Sequence, residues 1–260
     1  MSSVTKRIAD VKQPRGGYIK PSKFTVTQLD DGQKLNPEEN IHASTIGMVV
    51  DYMTRFMNGA DIEEAFKISI TGAGRAVLFG HENAMKEIKG YLNRIKGLDD
   101  QSIVNACKCV TFDVWLRNAF EANLSKTAAD INLDDATIQN IRIMVERGVH
   151  FFKTYGPITK DGFTFEYAGY TKTVDTGDGD FLTADTLWDF KVLKKKPTSK
   201  HTLQLLMYWI MGQHSGKPEF KGLTKLGIFN PRLNAVYLLD VKDISEEIIQ
   251  TVEDEVICYD

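Results

Sequence analysis

Residues 177–191, GDGDFLTADTLWDFK, contain two short apolar runs, Phe181-Leu182 and Leu187–Phe190. Ala184-Asp185 lies between the runs, where the apolar pattern is interrupted. Short runs of this kind, rich in Phe, Trp and Thr and bounded by Gly and Asp, are typical of paired β-strands. The stretch therefore predicts a β-hairpin with strands over 178–183 and 186–193.

The predicted pairing brings two acids and a lysine to one place. Asp180 lies directly opposite Asp189, and Phe181 lies opposite Trp188. Because side chains alternate along a strand, Asp189 and Lys191 share a face. Directly opposed residues have Cβ atoms about 4.5–5.5 Å apart, so two carboxylates there repel each other unless a cation lies between them. Since Mg²⁺ favours one or two carboxylates together with water and phosphate oxygens, the acid pair is a candidate metal site.

Two kinds of alternative stay open for this hairpin, a different strand register and an edge hairpin that binds nothing. Ala-Asp is not a favoured pair for a two-residue turn, and a longer loop would shift the register and separate the acids. A slip of two residues would bring Asp178 into the place of Asp180. The other alternative is an edge hairpin whose acids and lysine are simply solvated.

Basic residues follow the hairpin at once. Three lysines occupy 194–196, and a helix with an apolar stripe is predicted over 199–212. On that helix Lys200, Gln204 and Tyr208 recur every four residues and so lie on one side. Together with Lys194 they are candidates to hold a phosphate chain beside the acids. A solvated loop and a partly buried amphipathic helix face are the alternatives.

The period of the apolar residues changes along the chain. Before residue 134 the pattern is mainly helical, and after it strands and helices alternate, which predicts an α/β or α+β sheet with helices against it. We therefore expect an N-terminal arm over 1–40, a helical region over 41–133 and a sheet-containing core over 134–260. The helices are predicted over 44–57, 75–96, 102–124, 134–155, 199–212 and 244–256, and the other strands over 163–174, 223–229 and 234–241.

The composition restricts the function classes. The chain has 260 residues, 42% of them hydrophobic and 26% charged, which is enough apolar material for a sizeable core. Its net charge is −3, whereas proteins that coat DNA without specificity are usually basic, so any nucleic acid must be met in a local cleft. Three cysteines do not make a disulfide framework. With no apolar run long enough for a membrane span and no secretory signal pattern, we expect a cytoplasmic protein without membrane contact.

Three short motifs in residues 177–208 resemble those of the PD-(D/E)XK nuclease superfamily, in its RecB-like and phage-exonuclease branch. They are Gly177-Asp-Gly-Asp180 for GxxD, Asp189-Phe-Lys191 for (D/E)xK and Gln204-Leu-Leu-Met-Tyr208 for QxxxY. The similarity covers about residues 135–245. It implies a restriction-endonuclease-like fold, a mixed central sheet flanked by helices, with the N-terminal helical extension covering the cleft.

The resemblance also implies a role for each matching residue. Asp180, Asp189 and the main-chain carbonyl of Phe190 look like ligands of Mg²⁺ or Mn²⁺. Lys191 looks like the residue that positions or polarises the hydrolytic water. Gln204 and Tyr208 look like a supporting pair on the following helix that faces the substrate.

The family usually adds an acid or a histidine from a helix before the sheet. Glu146 is the first candidate, because it lies on the flank of the apolar stripe of the helix predicted over 134–155. The stretch GRAVLFGHE over 74–82 is similar to the Gly…His motif of this branch, which adds Glu82 and His81 as candidates. The sequence does not choose among the three.

We therefore expect a divalent-metal-dependent DNA nuclease of the RecB-like exonuclease type, with duplex or single-stranded DNA as its partner. A homo-oligomer, or a separate helicase or recombination partner, is compatible with the resemblance, and a phage or bacterial defence setting follows by analogy. The alternative from another class is a catalytically inactive binding module on the same scaffold. A hydrolase or transferase for a small phosphorylated ligand is a third reading of the same acids.

Overall fold

A computed structural model describes residues 2–122 and 127–259, so residues 1, 123–126 and 260 of the predicted regions lie outside the described part of the chain. The contacts divide the chain into two units. The sheet unit contains residues 1–30 and 151–260, and the helical unit contains residues 31–150. These bounds differ from the predicted divisions after residues 40 and 133, and the predicted arm is shared between the two units.

The described residues contain eight strands and eleven α-helices. The strands are β1 Ser2–Ser3, β2 Thr25–Gln28, β3 Lys160–Thr164, β4 Val174–Thr176, β5 Asp178–Leu182, β6 Thr186–Phe190, β7 Lys225–Asn230 and β8 Ala235–Asp240. The helices are α1 Val4–Asp10, α2 Ala43–Met57, α3 Ile62–Ala65, α4 Lys67–Leu78, α5 Ala84–Leu92, α6 Asp100–Val110, α7 Asp113–Arg117, α8 Ala119–Ala122, α9 Asp135–Tyr155, α10 Ser199–Ser215 and α11 Glu246–Thr251. A π-helical segment, Val252–Ile257, follows α11, and short 3₁₀ turns occupy Pro21–Lys23, Ala128–Asp130, Tyr167–Gly169, Pro218–Phe220 and Val241–Asp243.

Six of the strands form one mixed sheet in the order β2-β8-β7-β6-β5-β3. Only β6 and β7 are parallel among its neighbours, and α10 is the crossover helix that connects them. The other neighbours are antiparallel. The fold is therefore mixed α/β, a six-stranded sheet with helices against it, as the order of elements predicts.

Both faces of the central strands are buried. On one face the ring of Phe151, from the last turn of α9, stacks on Phe229 with ring centroids 4.2 Å apart and meets Trp188 edge-on. A Cβ at position 227 would lie 2.3 Å from the indole of Trp188, so only glycine lets the ring lie flat over β7. The opposite face is covered by α10, which packs against β6 and β7. Strands covered on both faces read as continuous apolar runs, as β6 and β7 do.

The ends of α10 follow ordinary capping chemistry. Thr198 is the N-cap, and its backbone N–H donates to Nδ1 of His201 at 2.9 Å. Gly216 ends the helix in the left-handed conformation, with φ 68°. The helix is therefore fixed at the end where the lysine-rich connection from β6 enters it.

Three predicted elements are broken in the structure. The helix predicted over 75–96 is two helices, α4 and α5, because Gly80 adopts φ 93° and the chain turns before Ala84. The strand predicted over 163–174 is interrupted by the 3₁₀ turn Tyr167–Gly169, whose glycine packs closely on the carbonyl of Met211. In both places apolar residues recur on each side of the turn, so the apolar pattern alone misses it. The helix predicted over 102–124 is also divided, into α6, α7 and α8, and residues 123 and 124 lie outside the described part of the chain.

The N-terminal segment is more ordered than the arm that its composition predicts. In the sheet unit, β2 pairs with β8 and forms an edge of the six-stranded sheet, while β1 pairs with β4. In the helical unit, the backbone N–H of Asn36 donates to Oδ1 of Asn140 at 2.7 Å, and that of Asn40 to Oγ1 of Thr137 at 2.9 Å. Polar side chains of α9 hold residues 36–40, which is why no apolar periodicity marks them.

The helical unit has its own core. The buried face of α2 includes Ile46, Val49 and Met53, and α6 packs against α2 and α5. A Cβ at Gly72 would lie 2.1 Å from the carbonyl oxygen of Phe112, so α4 approaches the start of α7 only because glycine is present. No helix in the described ranges is both long and apolar enough to span a membrane.

Candidate active site

The hairpin of β5 and β6 has the predicted register. Phe181 pairs with Trp188 and Leu182 with Leu187, which is the pairing that places Asp180 opposite Asp189. The backbone N–H of Thr183 donates to the carbonyl of Thr186 at 3.0 Å and closes a two-residue turn. The predicted strand over 186–193 is shorter, because β6 ends at Phe190. The hairpin register is not shifted by two residues, so Asp178 does not take the place of Asp180. It is an exposed residue at the start of β5.

The carboxylate of Asp180 is held by the backbone of the facing strand. Its Oδ2 accepts a hydrogen bond from the N–H of Phe190 at 2.6 Å. Since the next residue, Lys191, donates its N–H to the carbonyl of Phe229 in β7, the main-chain groups of Phe190 point the other way, towards β5. The carbonyl of Phe190, predicted as a third metal ligand, is thus directed to the side of Asp180.

Asp189 is a buried acid with an incomplete set of partners. Its exposed fraction is only 2%, and Nζ of Lys191 lies 3.0 Å from its Oδ1. Its Oδ2 has no hydrogen-bond partner among the described residues. Burial raises the pKa of Asp189 well above its usual range, the Lys191 ammonium opposes that shift, and the neighbouring Asp180 carboxylate adds to it. Two ionised carboxylates without a bridging proton or cation repel each other here.

The side of α10 that faces these acids differs from the prediction. Nε2 of Gln204 donates to the hydroxyl of Tyr208 at 2.8 Å, so the two residues do act as a pair. Tyr208, however, is only 4% exposed and packs against Phe165. Burial raises the pKa of its hydroxyl, and the charges of Asp189 and Asp180 raise it further. Tyr208 therefore supports the site from behind and is not an exposed contact for substrate.

The lysines of the connection between β6 and α10 are exposed. Lys194, Lys195 and Lys196 face solvent, as does Lys200 on the first turn of α10. His201, in the first turn of α10, has a pKa lowered by burial first and then by the charges of Lys191 and Lys200. A strip of positive charge thus begins at Lys191 and continues to the start of α10.

The three candidates for an additional acid or histidine all belong to the helical unit. Glu146 is exposed on α9, where Nε2 of Gln33 donates to its Oε2 at 3.3 Å. His81 lies outside α4 and α5, in the turn that divides the helix predicted over 75–96, with its ring 4.5 Å from that of Trp115. Glu82 is exposed in the same turn. The structure brings together Asp180, Asp189 and Lys191 in the sheet unit. It does not indicate which of Glu146, His81 and Glu82 completes the site.

The donor set at the hairpin fits a hard divalent cation. In the ranges described, no group of three or more His, Cys, Asp or Glu side chains converges. Mg²⁺ and Mn²⁺ need no such group, because one or two carboxylates completed by water and substrate phosphate are enough. The oxygen of Asp189 that has no hydrogen bond is the observation that favours a ligand. Cys107 and Cys109 are buried in α6 with free thiols and take no part.

Comparisons of the chain with protein-family models, with curated proteins and with solved structures give no match.

Proposed function

We propose that this chain hydrolyses phosphodiester bonds in DNA with the help of Mg²⁺ or Mn²⁺ held by Asp180 and Asp189. The observation that carries the proposal is the buried Asp189, 2% exposed, with one oxygen paired to Lys191 and the other without a hydrogen bond. Leaving a buried carboxylate oxygen unsatisfied costs roughly 1–3 kcal/mol or more. A bound cation would complete this oxygen and at the same time remove the repulsion between Asp189 and Asp180.

The position of each motif supports the proposal. Asp180 lies on β5, Asp189 on β6, and Gln204 and Tyr208 lie on the crossover helix α10. The order of elements from α9 to β7 gives a mixed sheet whose parallel pair follows the acidic hairpin. This is the arrangement that resemblance to the PD-(D/E)XK superfamily implies, and we propose a restriction-endonuclease-like core on that ground.

Within the proposed reaction each residue has a separate task. A bound divalent cation supplies a Lewis acid for a phosphate oxygen and lowers the pKa of water. The N–H of Phe190 fixes Asp180, and burial keeps Asp189 in one orientation. The ammonium of Lys191 provides positive charge where the phosphorane-like charge develops, and it orients the attacking water. Gln204 and Tyr208 hold the helix face behind the acids.

The exposed lysines define where the DNA backbone would lie. Lys194 and Lys200 carry positive charge next to Lys191, while the protein as a whole has a net charge of −3. Phosphate contacts from such a local strip position a strand without reading its sequence. We propose DNA, duplex or single-stranded, as the substrate, and a cytoplasmic setting in a phage or bacterial defence system.

The test is cleavage of linear and circular DNA, duplex and single-stranded, with Mg²⁺, Mn²⁺ or EDTA. The wild type is compared with Asp189→Asn and Lys191→Met. Asp185→Asn is the matched control, because Asp185 is in the turn of the same hairpin and pairs with Lys225 at 2.7 Å, away from the acids. We expect metal-dependent cleavage that both site variants lose and the control keeps.

Two results would contradict the proposal. Cleavage that persists in EDTA, or that Asp189→Asn retains, would remove the acid pair from the reaction. Metal-independent DNA binding without cleavage in any condition would favour the alternative, an inactive nuclease-fold binding module. Cleavage of linear but not circular DNA would further assign the exonuclease type.

A further inference from the structure

The lysine loop, defined as residues 191–198 between β6 and α10, is attached to the sheet by one buried side chain. Asn230, the last residue of β7, is fully buried. Its Nδ2 donates to the carbonyl of Leu193 at 2.9 Å, and its Oδ1 lies 3.3 Å from the N–H of Leu193. Both main-chain groups of Leu193 are therefore bound by one amide, two residues after Lys191.

The same amide also fixes the turn between β7 and β8. Oδ1 of Asn230 accepts hydrogen bonds from the N–H groups of Arg232 at 3.0 Å and Leu233 at 3.3 Å. Only an amide side chain can make all of these hydrogen bonds, because the carbonyl of Leu193 requires a donor and its N–H requires an acceptor. Aspartate at this position would keep the acceptor for the turn but would place a carboxylate oxygen against the carbonyl of Leu193.

The far end of the lysine loop is fixed as well. Pro197 is buried, and Thr198 caps α10 through its hydrogen bond to His201. Lys194, Lys195 and Lys196 are the exposed residues between the two attachments. The loop thus presents the ammonium groups of Lys194, Lys195 and Lys196 from a backbone held on the sheet on one side and on α10 on the other.

We propose that Asn230 is a positioning residue, which holds the lysine loop in the place where it binds the DNA backbone beside Asp189 and Lys191. This inference rests on the proposed function and adds to it a residue that the sequence analysis did not single out. The signal in the sequence was weak, since Asn230-Pro231-Arg232 reads as an ordinary turn after a strand.

The first experiment tests the attachment without DNA. Amide hydrogen exchange of residues 191–198 is compared in the wild type, Asn230→Asp and Asn230→Ala. We expect exchange in this segment to rise by about tenfold or more in both variants, because Leu193 loses its hydrogen bonds to Asn230, while the N–H of Lys191 keeps its bond to Phe229. Unchanged exchange in a folded variant would overturn the inference. If Asn230→Asp does not fold, the uncharged variant Asn230→Ala provides the test.

The second experiment tests the consequence for DNA binding. The affinity for a single-stranded and a duplex oligonucleotide is measured against salt concentration, without divalent cation. Each lost phosphate contact lowers the slope of log K against log salt by about 0.7–0.9, so replacing Lys194, Lys195 and Lys196 by alanine should lower it by about 2–3. We expect Asn230→Asp to lower the slope similarly and to add little to the triple-alanine variant, because both act through one loop.

Asn234→Ala is the matched control. Asn234 lies in the same β7–β8 turn with φ 48°, a left-handed conformation that alanine disfavours, so its replacement destabilises the turn without touching the loop. We expect the salt slope of this variant to equal that of the wild type. A lowered slope in Asn234→Ala would make the effect at Asn230 merely structural and would overturn the inference.

The outcomes separate the two proposals. If the triple-alanine variant weakens DNA binding but Asn230→Asp does not, the role of Asn230 is wrong and the nuclease proposal stands. If the wild type neither binds nor cleaves DNA, the proposed function fails, and the positioning role fails with it even where the exchange data show the attachment.

Discussion

Two buried aspartates, one in each unit, have nearly equal exposure and opposite surroundings. In the helical unit Asp113 is 1% exposed, its Oδ2 accepts from the hydroxyl of Tyr52 at 2.7 Å, and its Oδ1 accepts from Ser69 at 2.5 Å. In the sheet unit Asp189 is 2% exposed, pairs with Lys191 through one oxygen and leaves the other without a hydrogen bond. Burial raises the pKa of both carboxyls.

The partners of each oxygen indicate different roles for these two equally buried carboxylates. A carboxylate whose two oxygens each receive a hydroxyl is a completed polar network, which fixes the core of its unit. A carboxylate beside a second acid, with an oxygen left open, is stable only if a proton or a cation joins it. Burial alone therefore does not mark a functional site, and the second acid beside the open oxygen is what distinguishes Asp189 from Asp113.

The largest effect should come from removing the charge at Asp189. Because a bound cation stabilises charge in the transition state by several kcal/mol, we expect Asp189→Asn to lower the cleavage rate by about 10³-fold. Folding stability should change by less than about 1 kcal/mol, since the repulsion from Asp180 disappears together with the ion pair to Lys191. Steady-state cleavage and urea unfolding measure the two quantities.

The matched variant at the other aspartate is Asp113→Asn. Its cleavage rate per folded molecule should equal that of the wild type. A loss of activity as large as that of Asp189→Asn would contradict the structural role of Asp113, because an acid whose two oxygens are hydrogen-bonded would then take part in the reaction.

Cation binding should require both carboxylates of the hairpin, Asp180 and Asp189, but not the ammonium of Lys191. At a Mn²⁺ concentration of 100 times Kd, binding to the folded state alone stabilises a protein by about 2.7 kcal/mol. We expect the wild type and Lys191→Met to take up Mn²⁺ and gain stability, and Asp180→Asn and Asp189→Asn to do neither. Electron paramagnetic resonance of free Mn²⁺ and thermal unfolding report this without any nuclease assay.

The stability of the helical unit should depend on the completed network. Asp113→Ala leaves the hydroxyls of Tyr52 and Ser69 without an acceptor, and an unsatisfied buried donor costs about 1–3 kcal/mol. We expect urea unfolding to show a loss in that range. Replacing the partners as well, with Tyr52→Phe and Ser69→Ala, should recover part of it, and a triple variant no more stable than Asp113→Ala would argue against the network.

A third carboxylate extends the comparison to the effect of pH. Nε of Arg147, with its side chain 6% exposed, lies 2.6 Å from Asp31, and this guanidinium holds the pKa of Asp31 below its usual range. The folded state therefore binds the proton more weakly than the unfolded state. The stabilisation is complete above the unfolded pKa, about 3.9, and is lost as pH falls through the lower folded value.

The corresponding variant is Asp31→Asn. We expect it to be less stable than the wild type by about 1 kcal/mol or less at neutral pH, because Asp31 is exposed, with the difference shrinking as pH falls below the unfolded pKa of about 3.9. Chemical unfolding across this range measures it. A difference that stays constant with pH would show that the ion pair is not its source.

Local pattern was sufficient for the hairpin and for several helices. The apolar runs on either side of Ala184-Asp185 predicted the pairing of Phe181 with Trp188, and the spacing over 134–155 predicted α9 within one residue. The predictions failed where a turn separates two segments with the same helical apolar spacing, as at Gly80 between α4 and α5. They also failed where polar side chains hold the backbone, as Asn140 holds the segment at Asn36.

The sequence predicted the register of the acidic hairpin but left a slip to Asp178 open, because β6 carries buried apolar side chains on both faces and its pattern does not exclude other registers. It indicated that Asp180, Asp189 and Lys191 belong together, and the observed pairing of Phe181 with Trp188 confirmed that register. Only the tertiary structure decided that Asp189 is buried with an open oxygen, that Tyr208 lies behind the site, and that Asn230 holds the lysine loop. Those facts depend on which helix covers the strand and which side chains it brings to each oxygen, and contacts between residues far apart in sequence are not encoded in any local period.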